Sequence, residues 1–191
     1  MQRNQSLGGV IRQIFVVMAG FLGLLWGIEI LDVAIFRGGL DSFGVEPRSA
    51  SGLLGVLAAP FLHGGWGHLI GNTVGILTLG GLTLAIGRRE FLAVTAAGIV
   101  VGGLGTWVFG RPAIHIGASG LVFAYFGYLL LRGWYDRRFG SLALAGVVAV
   151  VWGGMVFGMI PGMTATVVSV ETHLFGFIGG ALMARLLHKR R

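Results

Sequence analysis

The sequence predicts an all-α membrane protein, a bundle of six transmembrane helices. Three observations predict it. Charged residues make up 11% of the 191-residue chain and hydrophobic ones 55%, whereas soluble domains carry about 25% charged residues. Six apolar runs approach the ~20 residues needed to cross a bilayer. Basic residues separate these runs in a pattern that marks one side of a membrane. Thirty-six glycines fit the same class, because they let membrane helices approach closely. The chain contains no cysteine, which excludes disulfides, thiolate catalysis and cysteine-based metal sites. One domain, residues 1–191, is expected at this length.

The first span is read at about 14–35. Arg3 and Arg12 give it a basic start, but it is longer than a signal-peptide core and no small-x-small cleavage site follows. Glu29 and Asp32 near its outer end are expected to face loop or water. An outer loop, 36–66, follows. Its apolar stretch from Gly52 to Leu62 is too short to span and is expected to lie in the interface or re-enter. A connection of this length in a compact protein usually serves function.

Further spans are read at 67–87, 91–110, 115–131, 141–160 and 167–186. Six crossings gather Arg3, Arg12, Arg88, Arg89, Arg132, Arg137, Arg138, Arg185, Lys189, Arg190 and Arg191 on one side. Arg37, Arg48 and Arg111 lie on the other. The positive-inside rule then places both termini in the cytoplasm of a multi-pass protein of the cell membrane. The +7 charge is spent on topology in loops and tails, so nucleic acid is not expected as a partner. Within span five, Gly153, Gly154 and Gly158 predict loose packing, and "PGMTAT" a flexible outer end.

Polar groups inside spans are costly and mark function by default. His68 and Asn72 are four residues apart and share a helix face. Ser119 opens span four, and His173 lies early in span six. Spans two, four and six run in the same direction, so all four side chains sit on the order of 5–10 Å below the outer boundary, at 1.5 Å per residue. Ser119 with His173 is the minimum set for nucleophilic acyl chemistry, the imidazole taking the hydroxyl proton. Glu171 is two residues from His173, about 200° around the helix, and points away. A two-residue dyad is therefore favoured over a triad. His68 and Asn72 supply donors for an oxyanion, joined by the Ser119 backbone N–H at a helix start. Gly176 and Gly180 form one small-residue face, and Gly120, Ala124 and Gly127 another; direct contact between them would bring Ser119 to His173.

His115, four residues before Ser119, is the competing base, in a short outer loop expected to be wet. His63 and His68 suggest zinc, but no HExxH accompanies them and no carboxylate shares their face. No metal or cofactor is expected.

At these residues the chain resembles the rhomboid family of intramembrane serine proteases, over roughly residues 45–185. "GASG" at 117–120 matches the family's GxSG motif, which includes Gly117 and implies Ser119 as nucleophile. "HGGWGHLIGN" at 63–72 implies His68 and Asn72 as oxyanion-stabilising residues and His63 as a structural loop residue. "ETHLFGFIGG" at 171–180 matches the HxxG pattern and implies His173 as base. Thr172 stands where many members have alanine or glycine. Phe123 stands where some have a tyrosine packed under the histidine. A Trp-Arg pair found in the first loop of some members has no counterpart.

The expected protein is a rhomboid-like six-span endopeptidase that cleaves transmembrane substrates within or near the outer leaflet. Its partners are transmembrane proteins and the lipid bilayer. The outer loop and span five are candidate gates. The alternative is a catalytically silent relative that binds transmembrane segments. A small transporter would call for inverted repeats and broken helices, and no such symmetry is evident.

Overall fold

The computed structural model describes residues 6–163 and 168–188. Among these, eight α-helices form a helical membrane bundle: α1 Leu7–Leu31, α2 Ala50–Ala58, α3 Trp66–Gly75, α4 Gly81–Ile86, α5 Arg88–Phe109, α6 Ser119–Asp136, α7 Phe139–Trp152 and α8 Val170–His188. A π-helical segment, Ile76–Gly80, joins α3 to α4. Among the described residues, five helical stretches are long and apolar enough to cross a membrane: Leu7–Phe36, Trp66–Ile86, Arg88–Phe109, Phe139–Met159 and Val170–His188.

Helix α6 is the axis. Its 18 residues include a buried run from Gly120 to Leu129. Leu121, Phe126, Tyr125 and Tyr128 meet Met18, Leu25, Leu69, Ile76 and Val94 from the surrounding helices. A helix walled by protein needs less hydrophobicity than one walled by lipid, so α6 tolerates Arg132 and Asp136 in its last turns. Asp136 closes the end of the bundle opposite Ser119. It pairs with Arg132 at 3.1 Å and His188 at 3.2 Å and accepts a hydrogen bond from Ser141, linking α6, α7 and α8.

The small faces expected on α6 and α8 do meet. A side chain at Gly176 would strike the Gly120 carbonyl, and one at Gly180 the Ala124 carbonyl. Backbone therefore packs on backbone, as small-residue faces in membranes allow. Helix α5 joins them, with Gly102 against Gly176. The Tyr125 ring stacks on Phe91 at 5.6 Å, and its hydroxyl meets Thr95 at 2.7 Å.

The outer loop folds back on the bundle. In α2, Gly52, Gly55 and Val56 face the protein, while Leu54 and Leu57 are exposed, which suits an interfacial helix. Trp107 donates to the Ser49 carbonyl at 2.7 Å, and Arg48 to the Gly110 carbonyl at 2.9 Å. These bonds fasten the loop to α5. The isolated bridge between Val45 and His115 is the sole β-pairing among the described residues.

Several expectations need correction. The first helix runs from Leu7 through Phe36 rather than 14–35. Glu29 and Asp32 face the outer loop, as expected, but not water: they are 2% and 3% exposed, and the Asp32 carboxylate accepts from the Leu40 N–H at 2.9 Å. Residues 115–118 are not helical, and α6 starts at Ser119. Span five packs loosely only in part. Gly153 and Gly154 face open space, but a side chain at Gly158 would press on Phe123. The segment "PGMTAT" falls partly outside the described residues.

Candidate active site

Ser119 is the first residue of α6, where backbone N–H groups lack intrahelical acceptors. The chain reaches it through Gly117, whose φ of 111° lies in the region favoured only by glycine. A side chain there would run into the His68 ring and come within 3.4 Å of Asn72 Nδ2. The Gly117 N–H donates to the Ala59 carbonyl at 2.8 Å. The backbone just before Ser119 is thus wedged between the end of the outer loop and the first turns of α3. His68 and Asn72 face it together, as their spacing requires.

Asn72 is 5% exposed, and its Nδ2 donor has no partner among the described residues. Buried donors are nearly always paired, so an unpaired one beside the loop that delivers a serine is available to a ligand oxygen. His63 is 1% exposed, its ring close to the Phe61 backbone. Its ring lies 5.2 Å from that of His68. Burial, and secondarily His68, push the His63 pKa down to about 4. His63 is therefore neutral.

His173, 8% exposed, lies in the first turns of α8. Its ring stacks on Phe123, centroids 4.1 Å apart at 12°. Phe123 is one turn along α6 from Ser119, on the same face. His173 Nδ1 lies 3.0 Å from the Gly158 carbonyl oxygen. A carbonyl can only accept, so Nδ1 carries the proton and Nε2 keeps its lone pair. That is the tautomer a general base needs. Gly158 belongs to the 3-10 segment after α7. No hydrogen bond joins Ser119 to His173 among the described residues. Such bonds are often long in resting enzymes and tighten with substrate.

The structure therefore brings His68, Asn72 and Gly117 together before Ser119, and His173 with Phe123 one turn after it. Glu171 turns away to Arg111, 3.4 Å from its guanidinium. His115 is not free to act as base. It is 3% exposed rather than wet, and both ring nitrogens are engaged, by Ser169 at 2.7 Å and the Arg111 carbonyl at 3.1 Å. Sequence reasoning missed the Gly158 carbonyl because a backbone group leaves no mark in a sequence. It also missed the partnership of His115 with Ser169, which spans 54 residues. No three histidine or acidic side chains among the described residues converge on a metal position.

Comparison with known proteins agrees with this architecture. The Rhomboid domain family matches residues 50–190. An uncharacterized protein of Mycobacterium tuberculosis is 38% identical over 174 residues, 87% of this chain and 72% of that one. An uncharacterized protein of Mycobacterium leprae is 36% identical over 179 residues, 90% of this chain and 70% of that one. A Bacillus subtilis protein named "Putative rhomboid protease YdcA" is 28% identical over 134 residues, 68% of this chain and 65% of that one. With the family matched over most of its length and helices built to cross a bilayer, this chain is a multi-pass membrane protein that belongs to the Rhomboid domain family.

Proposed function

We propose that the protein is an intramembrane serine endopeptidase working through a Ser119–His173 dyad. One observation carries the reading. His173 is stacked on Phe123, a turn from Ser119, with its Nδ1 proton held by the Gly158 carbonyl. The free Nε2 lone pair is the feature that makes a serine hydroxyl nucleophilic. Family membership supports the same chemistry.

In this mechanism Ser119 Oγ attacks a peptide carbonyl carbon of a substrate's transmembrane or outer juxtamembrane segment, and His173 Nε2 takes the hydroxyl proton. The carbonyl oxygen becomes an oxyanion held by Asn72 Nδ2, His68 and the Ser119 backbone N–H. The C–N bond breaks as the amine receives the proton from His173. Water, deprotonated by His173, then attacks the acyl ester, and the proton passes from His173 to Ser119 Oγ as the ester bond breaks. Both termini lie in the cytoplasm, in the cell membrane, by the distribution of basic residues.

The test is labelling with a fluorophosphonate probe in detergent. Wild type is expected to label, and Ser119→Ala and His173→Ala are expected not to. The unformed Ser119–His173 hydrogen bond favours one second reading, a silent protein that binds transmembrane segments. A folded wild type that stays unlabelled would select it. Labelling that survives His173→Ala would remove His173 as the base.

A further inference from the structure

The mechanism leaves His115 unused, although it is buried and every polar group on it is engaged. Its backbone exchanges two hydrogen bonds of 2.9 Å with Val45. Its Nε2 lies 3.1 Å from the Arg111 carbonyl, which can only accept, so Nε2 carries the ring proton. Nδ1 must then accept, and the Ser169 hydroxyl at 2.7 Å donates to it.

That one constraint orients two hydroxyls. Ser169 has spent its proton on His115, so the Thr172 hydroxyl, 2.6 Å away, donates to Ser169. Thr172 also lies 2.9 Å from the Thr106 hydroxyl of α5, whose own proton goes to the Gly102 carbonyl at 2.7 Å. Ser169 also accepts the Thr172 backbone N–H at 3.2 Å, three residues on, which makes it the N-cap of α8. The cap of the helix that carries His173 is therefore bonded to the loop that delivers Ser119.

His115 stands four residues before Ser119, and Ser169 four residues before His173. The bond between them joins corresponding points upstream of both reacting groups, independently of the glycine contact between α6 and α8. We propose that His115 is a positioning residue, a strut acting through Ser169 to fix α8, and hence His173, in register with Ser119. The inference rests on the dyad reading, and its chemistry is general. Misplacing a catalytic group by about 1 Å costs on the order of 100-fold in rate, and a strut of this kind removes that freedom.

Two measurements test it. The first is the concentration dependence of fluorophosphonate labelling, which separates the maximal rate from half-saturation. Ser169→Ala is expected to lower the maximal rate at least about tenfold with half-saturation unchanged. Ser169→Thr, which keeps the hydroxyl and the cap, is expected to restore it. His115→Asn, whose amide falls near the position of Nδ1, is expected to retain more activity than His115→Gln. Combining Ser169→Ala with His115→Gln is expected to cost little beyond either alone.

The second is nitrogen NMR of protein labelled with 15N-histidine, which needs no activity. Ser169→Ala is expected to move the ring signals of both His115 and His173. If only the His115 signals move, or if the two substitutions add fully, the strut is overturned. If wild type does not label but His173 still responds to Ser169→Ala, the strut stands and the protease reading falls.

Discussion

At the scale of single residues, Asn72 holds a buried donor that no protein group among the described residues engages. Its buried Nδ2 is unpaired, and an unsatisfied buried donor destabilises by about 1–3 kcal/mol. Asn72→Ala is therefore expected to leave the melting temperature unchanged or higher while labelling slows by about 10²–10³-fold. A parallel loss of stability and rate would make Asn72 a structural clasp instead. Two groups of the outer loop predict a masked pH response. The His63 pKa is lowered to about 4 from 6.5, so the unfolded chain binds its proton first on acidification. Stability from His63 is present above pH 6.5 and is lost as pH falls to about 4. Burial, and then Asp32, raise the Asp41 pKa to about 6 from 3.8. Its contribution runs the other way, present below 3.8 and lost as pH rises through 6. The two slopes oppose each other. Asp41→Asn should unmask the His63 slope, seen as up to about 3 kcal/mol lost between pH 6.5 and 4 in denaturant titrations. A pH profile unaltered by Asp41→Asn would remove Asp41 as the opposing group.

At the scale of elements, glycine means different things along the chain. Gly180 lets α8 rest on the Ala124 backbone, whereas Gly153 faces open space with an ordinary helical backbone. Gly180→Ala is expected to destabilise by more than about 2 kcal/mol, as overpacking does. Gly153→Ala should be neutral or slightly stabilising. Thermal unfolding in one detergent compares them, and equal effects would contradict the backbone contact. The small-residue spacing of α6 and α8 was readable from sequence because period and residue size specify a face. The start of α6 was less readable. Hydropathy runs smoothly through Ile114 and Ile116, while the chain there is held extended by Val45, far away in sequence. The burial of Glu29 and Asp32 escaped for the same reason, since their covering groups come from the outer loop.

At the scale of the whole molecule, the two ends of the bundle differ in kind. The outer end is a loop folded over unpaired polar groups. The other end is an ionic clasp at Asp136, near the basic residues from which an inward orientation is expected. A reporter enzyme active only outside the cytoplasm should be silent when fused after residue 191 and active when inserted near Arg37. Activity at the C-terminal fusion would reverse the orientation and place the site on the inner face. The candidate site residues were legible because each sits early in a span of the same direction, so depth could be counted from sequence. What holds them was not legible, because carbonyls such as that of Gly158 and hydroxyls such as Ser169 act across long separations.

The bare backbone seam between α6 and α8 also shapes how the protein can drift. Gly176, Gly179, Gly180 and Ala184 are buried, while Leu174, Ile178, Leu182 and Leu186 on the same helix are exposed. A saturation library of α8 should therefore resolve into two stripes. One is nearly closed to change, and the other is permissive to any apolar side chain. Inherited variation in α8 is channelled towards the lipid, and the helix can be retuned to a new membrane without disturbing the histidine it carries.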